Sequence, residues 1–234
     1  MKDFVFAKAK EMPEGKGAKV KRAFPTNKVS RVNPFLLFDE FFVEQPAGFP
    51  MHSHSGFEAV TYMLEGAFEH EDSSGFSGRV DEGEAQRMVT GGGIRHSEMP
   101  GTDGMNHGLQ LWVDLPEELK SMEPEYGKGD VDSLPVKQDD GVTVKTIVGK
   151  GSPLQLKTPV EYFLLEVSDG TSFSKKLHED YNHFVYVVSG EGKYGEDVEL
   201  SEGNILVPNK EEIFIEALSD IKFALVSGKP LDRS

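Results

Sequence analysis

The stretch GFPMHSHSGFEAVTYMLEG, residues 48–66, holds two histidines that are separated by one serine and followed by an apolar run. From Ala59 to Leu64, both the odd-numbered and the even-numbered residues are mostly hydrophobic. This pattern is typical of a β-strand covered on both faces. Residues two apart in a strand point to the same face, so the Cβ atoms of His52 and His54 would lie about 6.5–7 Å apart. From there, two imidazoles can converge on one metal ion at about 2.0–2.1 Å. The stretch therefore predicts a strand that presents a pair of metal ligands.

The rest of the chain resembles a series of short strands joined by turns. Its 234 residues are 37% hydrophobic, and the 25 glycines and 13 prolines are spread along the whole length. That length suits one large β domain or two domains of ordinary size. Frequent turn residues favour strands over long helices, so the sequence predicts an all-β protein with few short helices.

One pattern occurs twice: a strand ending in glycine, a short hairpin, and an acidic residue with glycine that leads into a further strand. It covers AVTYMLEGAFEHED (59–72) with DEGEAQRMV (81–89), and FVYVVSGEGKYGED (184–197) with SEGNILVP (201–208). A repeat at an interval of about 125 residues favours a duplicated β unit. The alternative is that two unrelated β segments share turn chemistry.

The polar segment 127–141, with a proline and several glycines, is the predicted linker. It separates an N-terminal metal-binding domain, residues 1–126, from a C-terminal domain, residues 142–234. Histidine pairs with the His-x-His or His-x-Glu spacing do not occur after residue 98. The C-terminal domain is therefore expected to lack a comparable metal site.

The composition limits which metal ligands and which binding partners are possible. The chain has no cysteine, which excludes disulfides and thiolate ligands and leaves imidazole and carboxylate for any transition metal. The net charge of −15 disfavours direct binding to nucleic acid and would suit a basic protein partner. No apolar segment has the length of a signal peptide or a membrane span. The sequence therefore predicts a soluble, cytoplasmic protein without a membrane partner.

A second pair of candidate ligands lies in GGGIRHSEMPG, residues 91–101, where His96 and Glu98 repeat the spacing of the first pair. The three preceding glycines allow a sharp bend or a close approach to another segment. Two such pairs on neighbouring strands would supply three nitrogens and one oxygen, a set that suits iron, copper, nickel, manganese or zinc. The alternative is two unrelated polar pairs on solvent-facing surfaces.

Glu58 is a third carboxylate to consider. In an uninterrupted strand it would share the face of His52 and His54 and point into the same cavity. There it could be a ligand, an acceptor that orients a histidine, or a base. Spacing alone does not choose between Glu58 and Glu98 as the metal-binding carboxylate.

The remaining histidines carry weaker signals. His70 precedes a turn and is expected at a hairpin tip, with a structural or solvent-exposed role. His107 is a candidate for lining the cavity near the metal. His178 and His183 are five residues apart, so in one strand they would face opposite sides.

These residues resemble the motifs of the cupin superfamily. The first motif is approximated by Gly48, His52, His54, Glu58 and Gly66, and the second by Gly83, Gly93 and His96, with Gly91 where proline is usual. Longer segments are similar to signatures of the pirin family: NPFLLFDEF (33–41), GFPMHSHSGFEAVTYMLEGAFEHEDSSG (48–75), MVTGGGIRHSEMP (88–100) and HGLQLWVDLP (107–116).

The pirin resemblance implies a bicupin, two jelly-roll β-barrels packed face to face, with one metal ion in the N-terminal barrel. It implies His52, His54, His96 and Glu98 as ligands, and leaves Glu58 near the metal without binding it. Iron is the metal that the family commonly binds. Some members cleave the flavonol quercetin with dioxygen, and others are regulators that bind proteins.

The sequence departs from the family pattern around the histidine pair. Family members often have an acidic residue before the first histidine, and proline and arginine around the second. Met51, Ser53 and Ser55 stand at these positions here. The departure leaves the expected ligands in place and puts the substrate in question.

Three functions are compatible with these observations. The first is a metal-dependent dioxygenase of the quercetin 2,3-dioxygenase type, acting on a small aromatic enol with Glu98 or Glu58 as the base. The second is an iron-dependent regulatory module that binds a protein partner. The third is another cupin reaction, such as sugar isomerisation. A flat substrate is favoured if the cavity is lined by the aromatic residues Phe35, Phe38, Phe57 and Tyr62, which could instead belong to the core.

Overall fold

The computed structural model describes residues 4–196, 198–209 and 212–232. Within these ranges the chain is almost entirely β-structure, with one short 3₁₀ helix at Glu117–Leu119. The fold confirms the prediction of an all-β protein built from two cupin barrels. No helix among the described residues is long and apolar enough to cross a membrane.

The first half of the chain contains twelve strands within the described residues. They are β1 (Phe4–Lys8), β2 (Lys10–Glu14), β3 (Ala18–Phe24), β4 (Phe35–Glu44), β5 (Phe49–His54), β6 (Phe57–Glu65), β7 (Ala67–Asp72), β8 (Ser77–Asp81), β9 (Ala85–Val89), β10 (Ile94–Pro100), β11 (Met105–Asp114) and β12 (Glu125–Gly129).

The second half contains ten strands within the same described residues. They are β13 (Val136–Asp139), β14 (Val142–Val148), β15 (Val160–Val167), β16 (Ser172–Lys176), β17 (Asn182–Ser189), β18 (Glu191–Tyr194), β19 (Val198–Ser201), β20 (Asn204–Pro208), β21 (Glu212–Ala217) and β22 (Ile221–Gly228).

The two barrels have the same topology. The N-terminal barrel consists of a seven-stranded sheet, β12-β9-β6-β11-β4-β3-β2, and a four-stranded sheet, β5-β10-β7-β8. The C-terminal barrel consists of β1-β20-β17-β22-β15-β14-β13 and β16-β21-β18-β19. Position by position, β6 corresponds to β17 and β10 to β21, which agrees with the repeat in the sequence.

The predicted domains, residues 1–126 and 142–234, stay a prediction, and some strands pair across these boundaries. Strand β1, residues 4–8, pairs with β20 of the C-terminal barrel, in the place that β12 occupies next to β9 in the N-terminal one. Strands also extend into the predicted linker 127–141 from both sides, because β12 continues to Gly129 and β13 begins at Val136. One edge of the C-terminal barrel is thus formed by β1, which directly precedes the N-terminal barrel in sequence. The matching edge of the N-terminal barrel is formed by β12, which directly precedes the C-terminal barrel.

The two seven-stranded sheets pack face to face around a shared aromatic core. Phe38 contacts Tyr162, Phe184 and Tyr186 of the second barrel, with ring centroids 5.1–6.4 Å apart. The core also contains Phe35 and Tyr62 and forms one continuous buried cluster with residues from both barrels. Burial of apolar side chains from both sheets is therefore the main force that holds the barrels together.

Buried carboxylates of the first barrel are satisfied within this interface. The Tyr186 hydroxyl donates a hydrogen bond to Glu40 Oε2 at 2.8 Å, and His107 Nε2 lies 2.8 Å from Glu40 Oε1. Glu58 accepts hydrogen bonds from the backbone N–H groups of Lys157, at 2.9 Å, and Thr158, at 3.2 Å. Without such partners, a buried carboxylate would be an uncompensated charge and would lower the free energy of unfolding by roughly several kcal/mol.

Two buried tyrosines of the shared core provide a matched test of this interface. Tyr186→Phe removes a donor from buried Glu40 and should lower the free energy of unfolding by about 1–3 kcal/mol. The Tyr162 hydroxyl is buried and has no hydrogen-bond partner in the part of the chain that the structure describes, so Tyr162→Phe should be neutral or stabilising. Urea denaturation followed by circular dichroism measures both values. Equal losses in the two variants would contradict the role of the Tyr186–Glu40 bond.

Candidate metal centre

The four-stranded sheet of the N-terminal barrel brings the candidate ligands together. Strand β10 lies between β5 and β7, and its register places His96 opposite His52 on one side and opposite Asp72 on the other. Two residues further along, Glu98 pairs with His70 of β7. Paired residues on one face of a sheet lie close enough for their side chains to touch, so this register collects polar groups inside the barrel.

Three imidazoles form one compact group. The nearest ligand atoms of His52, His54 and His96 all lie within 4.8 Å of one another. The ring centroids are 4.5 Å apart for His52 and His54, 4.4 Å for His52 and His96, and 5.0 Å for His54 and His96. Three nitrogens at this separation could bind a single transition-metal ion.

Glu98 belongs to a second group that overlaps the first. One of its oxygens lies within 4.8 Å of ligand atoms of His70 and His96, and Thr61 Oγ1 is 3.5 Å from Oε1. Burial raises the pKa of Glu98 to about 7, against hydrogen bonds from Gln110 and Thr61 that lower it. His96 belongs to both groups. The three predicted histidine ligands therefore lie together, whereas Glu98 groups with His96 and His70 and not with His52 and His54.

The state of the imidazoles fits a metal ion. Burial and, to a smaller extent, the adjacent His52 lower the pKa of His54 to about 4. Burial and the neighbouring histidines lower the pKa of His96 to about 2. His52 Nδ1 is 2.8 Å from the carbonyl oxygen of Pro50, so this nitrogen carries the proton and Nε2 keeps its lone pair. His96 Nε2 is buried with no hydrogen-bond partner among the described residues. Neutral imidazoles with free lone pairs, together with one carboxylate, are a suitable donor set for a first-row transition metal.

A cavity of about 710 Å³ opens onto these groups, which is within the size range of small-molecule sites. His52, His54 and Glu98 form part of its lining. Phe57 and Trp112 stack on each other along the wall, with ring centroids 4.3 Å apart and planes at 23°. Trp112 also contacts the His54 ring edge-on at 4.8 Å. A flat apolar surface therefore lies directly beside the candidate ligands.

Four aromatic residues were candidates for lining the cavity, with the core as the alternative, and the core is where three of them lie. Only Phe57 lines the cavity; Phe35, Phe38 and Tyr62 are buried in the core between the barrels. Phe35 and Phe38 are three residues apart, and an irregularity in the pairing of β4 with β11 between Phe35 and Leu37 brings both to the face that packs against the C-terminal barrel. Tyr62 lies on the same side because it alternates with Phe57 along β6. The aromatic residues of the cavity, apart from Phe57, are Phe41, Phe49, Phe68 and Trp112.

One charged pair lies on the cavity wall. Arg22 Nε donates to Asp39 Oδ1 at 2.9 Å and Nη2 donates to Asp39 Oδ2 at 2.7 Å. Nη2 also donates to Glu14 Oε2 at 2.9 Å. One guanidinium thus contacts both carboxylates, Asp39 through a bidentate, charge-assisted pair of hydrogen bonds and Glu14 through a single one.

Glu58 does not reach the cavity, contrary to the expectation from its spacing. Strand β5 ends at His54 and β6 begins at Phe57, and the intervening Gly56 has a φ of +80°, which is accessible mainly to glycine. This break changes the alternation, so Phe57 faces the cavity and Glu58 faces the C-terminal barrel. Its carboxylate is held by the N–H groups of Lys157 and Thr158. The expected position of Glu58 in the cavity is therefore wrong, and its predicted roles as ligand, orienting acceptor or base have no support from this geometry.

Two other histidines differ from expectation. His70 is not an exposed hairpin residue: it is 2% exposed, within β7, and its Nε2 is 3.3 Å from His96 Nδ1. In the sequence, Phe68 and His70 alternate with Glu69 and Glu71, and this alternation is the signal that could have placed His70 on the inner face of a strand. His107 does not line the cavity, because it stacks on Phe42 and contacts Glu40 at the interface between the barrels.

The positions that depart from the family pattern lie at the surface. Met51, Ser53 and Ser55 are exposed, and they alternate with His52 and His54 along the chain. Among the glycines before His96, Gly91 has a φ of +49°, and a Cβ there would collide with the carbonyl oxygen of Met122. The expected close approach of this turn to another segment is thus confirmed.

Known proteins resemble this chain over nearly its whole length. The Pirin family model matches residues 17–113, and the model of the Pirin C-terminal cupin domain matches residues 162–234. A pirin-like protein of Solanum lycopersicum is 37% identical over 233 residues, 96% of this chain and 80% of that protein.

Solved structures agree with this relationship. A structure of quercetin 2,3-dioxygenase from Acinetobacter baumannii has a TM-score of 0.90 at 25% identity, covering 97% of this chain and 86% of that one. The bacterial pirin YhhW from Escherichia coli, in complex with nickel(II), shares the fold with a TM-score of 0.80 at 24% identity, covering 97% and 100%. Since the family models match one barrel each and the curated relative aligns with nearly the entire chain, this protein belongs to the pirin family.

Proposed function

We propose that this protein is a metal-dependent dioxygenase that cleaves a planar aromatic enol, such as a flavonol. The observation that carries the proposal is the cavity of about 710 Å³, in which a flat aromatic wall lies beside the imidazoles of His52 and His54 and the Glu98 carboxyl group. The dioxygenase of known structure that this fold resembles is named for quercetin, a flavonol. A mostly apolar cavity suits a flat aromatic molecule better than a sugar.

His52, His54, His96 and Glu98 would hold the metal ion. Iron is the expected metal, with copper, nickel, manganese and zinc as alternatives that the same nitrogen and oxygen donors accept. The bound ion would supply Lewis acidity, which lowers the pKa of an enol, and a redox-active centre for dioxygen. The hydrogen bond of His52 Nδ1 to the Pro50 carbonyl would keep that ring oriented for binding.

The cavity walls would orient the substrate. The stacked pair Phe57 and Trp112 offers a face against which an aromatic ring can pack. Among the described lining residues, the carboxylates are those of Glu14, Asp39 and Glu98, and Arg22 pairs with the first two. Glu98 is therefore the carboxylate available to accept the proton of the enol, a role in which its oxygen would have to leave the metal ion.

Metal content of purified variants tests the ligand set. His52→Ala and Glu98→Ala should reduce metal bound per chain at limiting metal by at least about tenfold, since each removes a donor. Glu58→Ala is the matched control, a buried carboxylate of the same barrel that faces away from the cavity. It should keep the metal content of wild type and lose only stability. A loss of metal in Glu58→Ala comparable with that in Glu98→Ala would overturn the assignment.

Turnover of quercetin tests the reaction. Protein loaded separately with iron, copper, nickel or manganese should consume quercetin and dioxygen in equal amounts with at least one metal, while the metal-free protein should not. Glu58→Ala, corrected for folded fraction, should retain the activity. If none of the loaded forms turns over quercetin, the dioxygenase proposal fails and the regulatory, protein-binding role inferred from the sequence is the one to pursue.

The aromatic wall gives a test of substrate orientation. Trp112→Leu should raise the KM for quercetin about three- to tenfold, because an aromatic contact contributes about 0.5–1.5 kcal/mol beyond burial. Trp112→Phe keeps a flat ring and should stay close to wild type. Metal content is measured in both variants, since Trp112 touches the His54 ring. An unchanged KM in Trp112→Leu with full metal content would exclude stacking on this wall.

A further inference from the structure

His70 is a buried polar side chain for which the proposed reaction has no use. Its Nε2 lies 3.3 Å from His96 Nδ1 and 3.2 Å from the Tyr126 hydroxyl. Its other nitrogen, Nδ1, is buried without a hydrogen-bond partner in the described part of the chain. Burying an unpaired imidazole nitrogen is costly, which indicates that the contact with His96 has a function.

The protons of the pair follow from the geometry. His96 Nε2 is the nitrogen left without a partner, and it can bind a metal only if it has no proton. In a neutral imidazole the proton must then be on Nδ1, which needs an acceptor. His70 Nε2 is in place to accept it, provided that His70 carries its own proton on Nδ1. The two rings therefore specify each other's tautomer.

Tyr126 holds His70 from behind. It belongs to β12, at the end of the predicted N-terminal domain, and stacks on Phe76 with ring centroids 4.0 Å apart. Its ring contacts the His70 ring edge-on, with centroids 5.3 Å apart. Its hydroxyl donates to the Asp72 carboxylate, which also accepts hydrogen bonds from Ser74, so the single lone pair of His70 Nε2 stays available to His96. The contacts form a continuous line from the turn at Ser74 to the candidate ligand His96.

We propose that His70 is a positioning residue that fixes the orientation and tautomer of His96 for metal binding, and that Tyr126 supports it. The inference rests on the proposed metal site, not on the identity of the substrate. Outer partners of this kind typically change metal affinity by about 10- to 100-fold when removed. The competing interpretation is that His70 binds the metal directly, since His70, His96 and Glu98 also form a compact group.

Titration of the full-length, metal-free protein with Cu(II) alone distinguishes these interpretations. The dissociation constant is measured by competition with a chelator, and electron paramagnetic resonance reports the number of bound nitrogens. His70→Leu should weaken Cu(II) binding about 10- to 100-fold and leave the number of nitrogens unchanged. His70→Gln places an amide oxygen near the same position and should restore affinity to within about threefold of wild type.

Two further variants separate positioning from packing. Tyr126→Phe removes only the hydroxyl and should weaken binding by less than His70→Leu does. Phe76→Leu alters the packing around Tyr126 without removing a polar atom and should bind Cu(II) like wild type. If circular dichroism shows that His70→Leu does not fold, the other three variants, His70→Gln, Tyr126→Phe and Phe76→Leu, still test the proposal. Only a positioning role predicts that Tyr126→Phe binds Cu(II) more weakly than Phe76→Leu does.

Several results would overturn the inference. His70→Leu or Tyr126→Phe that binds as tightly as wild type would show that the contact does not position His96, and loss of a bound nitrogen in His70→Leu would make His70 a ligand. A wild-type protein that binds no Cu(II) would remove the site altogether. Wild type that binds Cu(II) but cleaves no flavonol would refute the proposed dioxygenase activity and leave the positioning role intact.

Discussion

The register of strand β10 between β5 and β7 is the constraint on which the candidate metal centre depends. It aligns His52, His96 and Asp72 in one row across the sheet, and pairs Glu98 with His70. A shift by one residue would turn all these side chains to the outer face. The pairing of β10 with β5 is irregular between His96 and Glu98, and both side chains are nevertheless buried inside the barrel. The polar cluster is thus a property of the sheet and not of flexible loops.

One face of the neighbouring seven-stranded sheet lines the cavity, and its other face packs against the C-terminal barrel. In β6, Phe57 faces the cavity while Glu58, Val60 and Tyr62 face the C-terminal barrel. The C-terminal barrel therefore covers the back of the sheet that forms the cavity wall. This explains why a carboxylate only four residues from His54 serves the interface: its partners are backbone N–H groups of the second barrel. Stability of the pair of barrels and geometry of the site are linked through one strand.

Much of this organisation could be predicted from the sequence. Alternating apolar runs and turn residues indicated an all-β, duplicated chain, and the two i, i+2 pairs identified the polar residues that converge in the barrel. The position of Glu58 could not be predicted. The chain bends at Gly56, between β5 and β6, and this bend changes which residues face the cavity. Counting alternate residues from His54 as if the strand were continuous therefore places Glu58 on the wrong face. His70 and Tyr126 were missed for another reason: their contacts join β7 and β12, which are more than fifty residues apart, and no local pattern marks such a pair. The placement of β1 in the C-terminal sheet is a long-range pairing of the same kind.

The most direct test of the metal centre is an anomalous diffraction map from crystals of the full-length protein grown with Fe(II) or Ni(II). The structure predicts a single strong peak in the N-terminal barrel, within about 2.0–2.2 Å of nitrogens of His52, His54 and His96 and of an oxygen of Glu98. His70 should lie behind His96 without touching the peak. A peak bound by Glu58, a peak coordinated by His70 in place of His52 and His54, or the absence of any peak in this barrel would contradict the assignment.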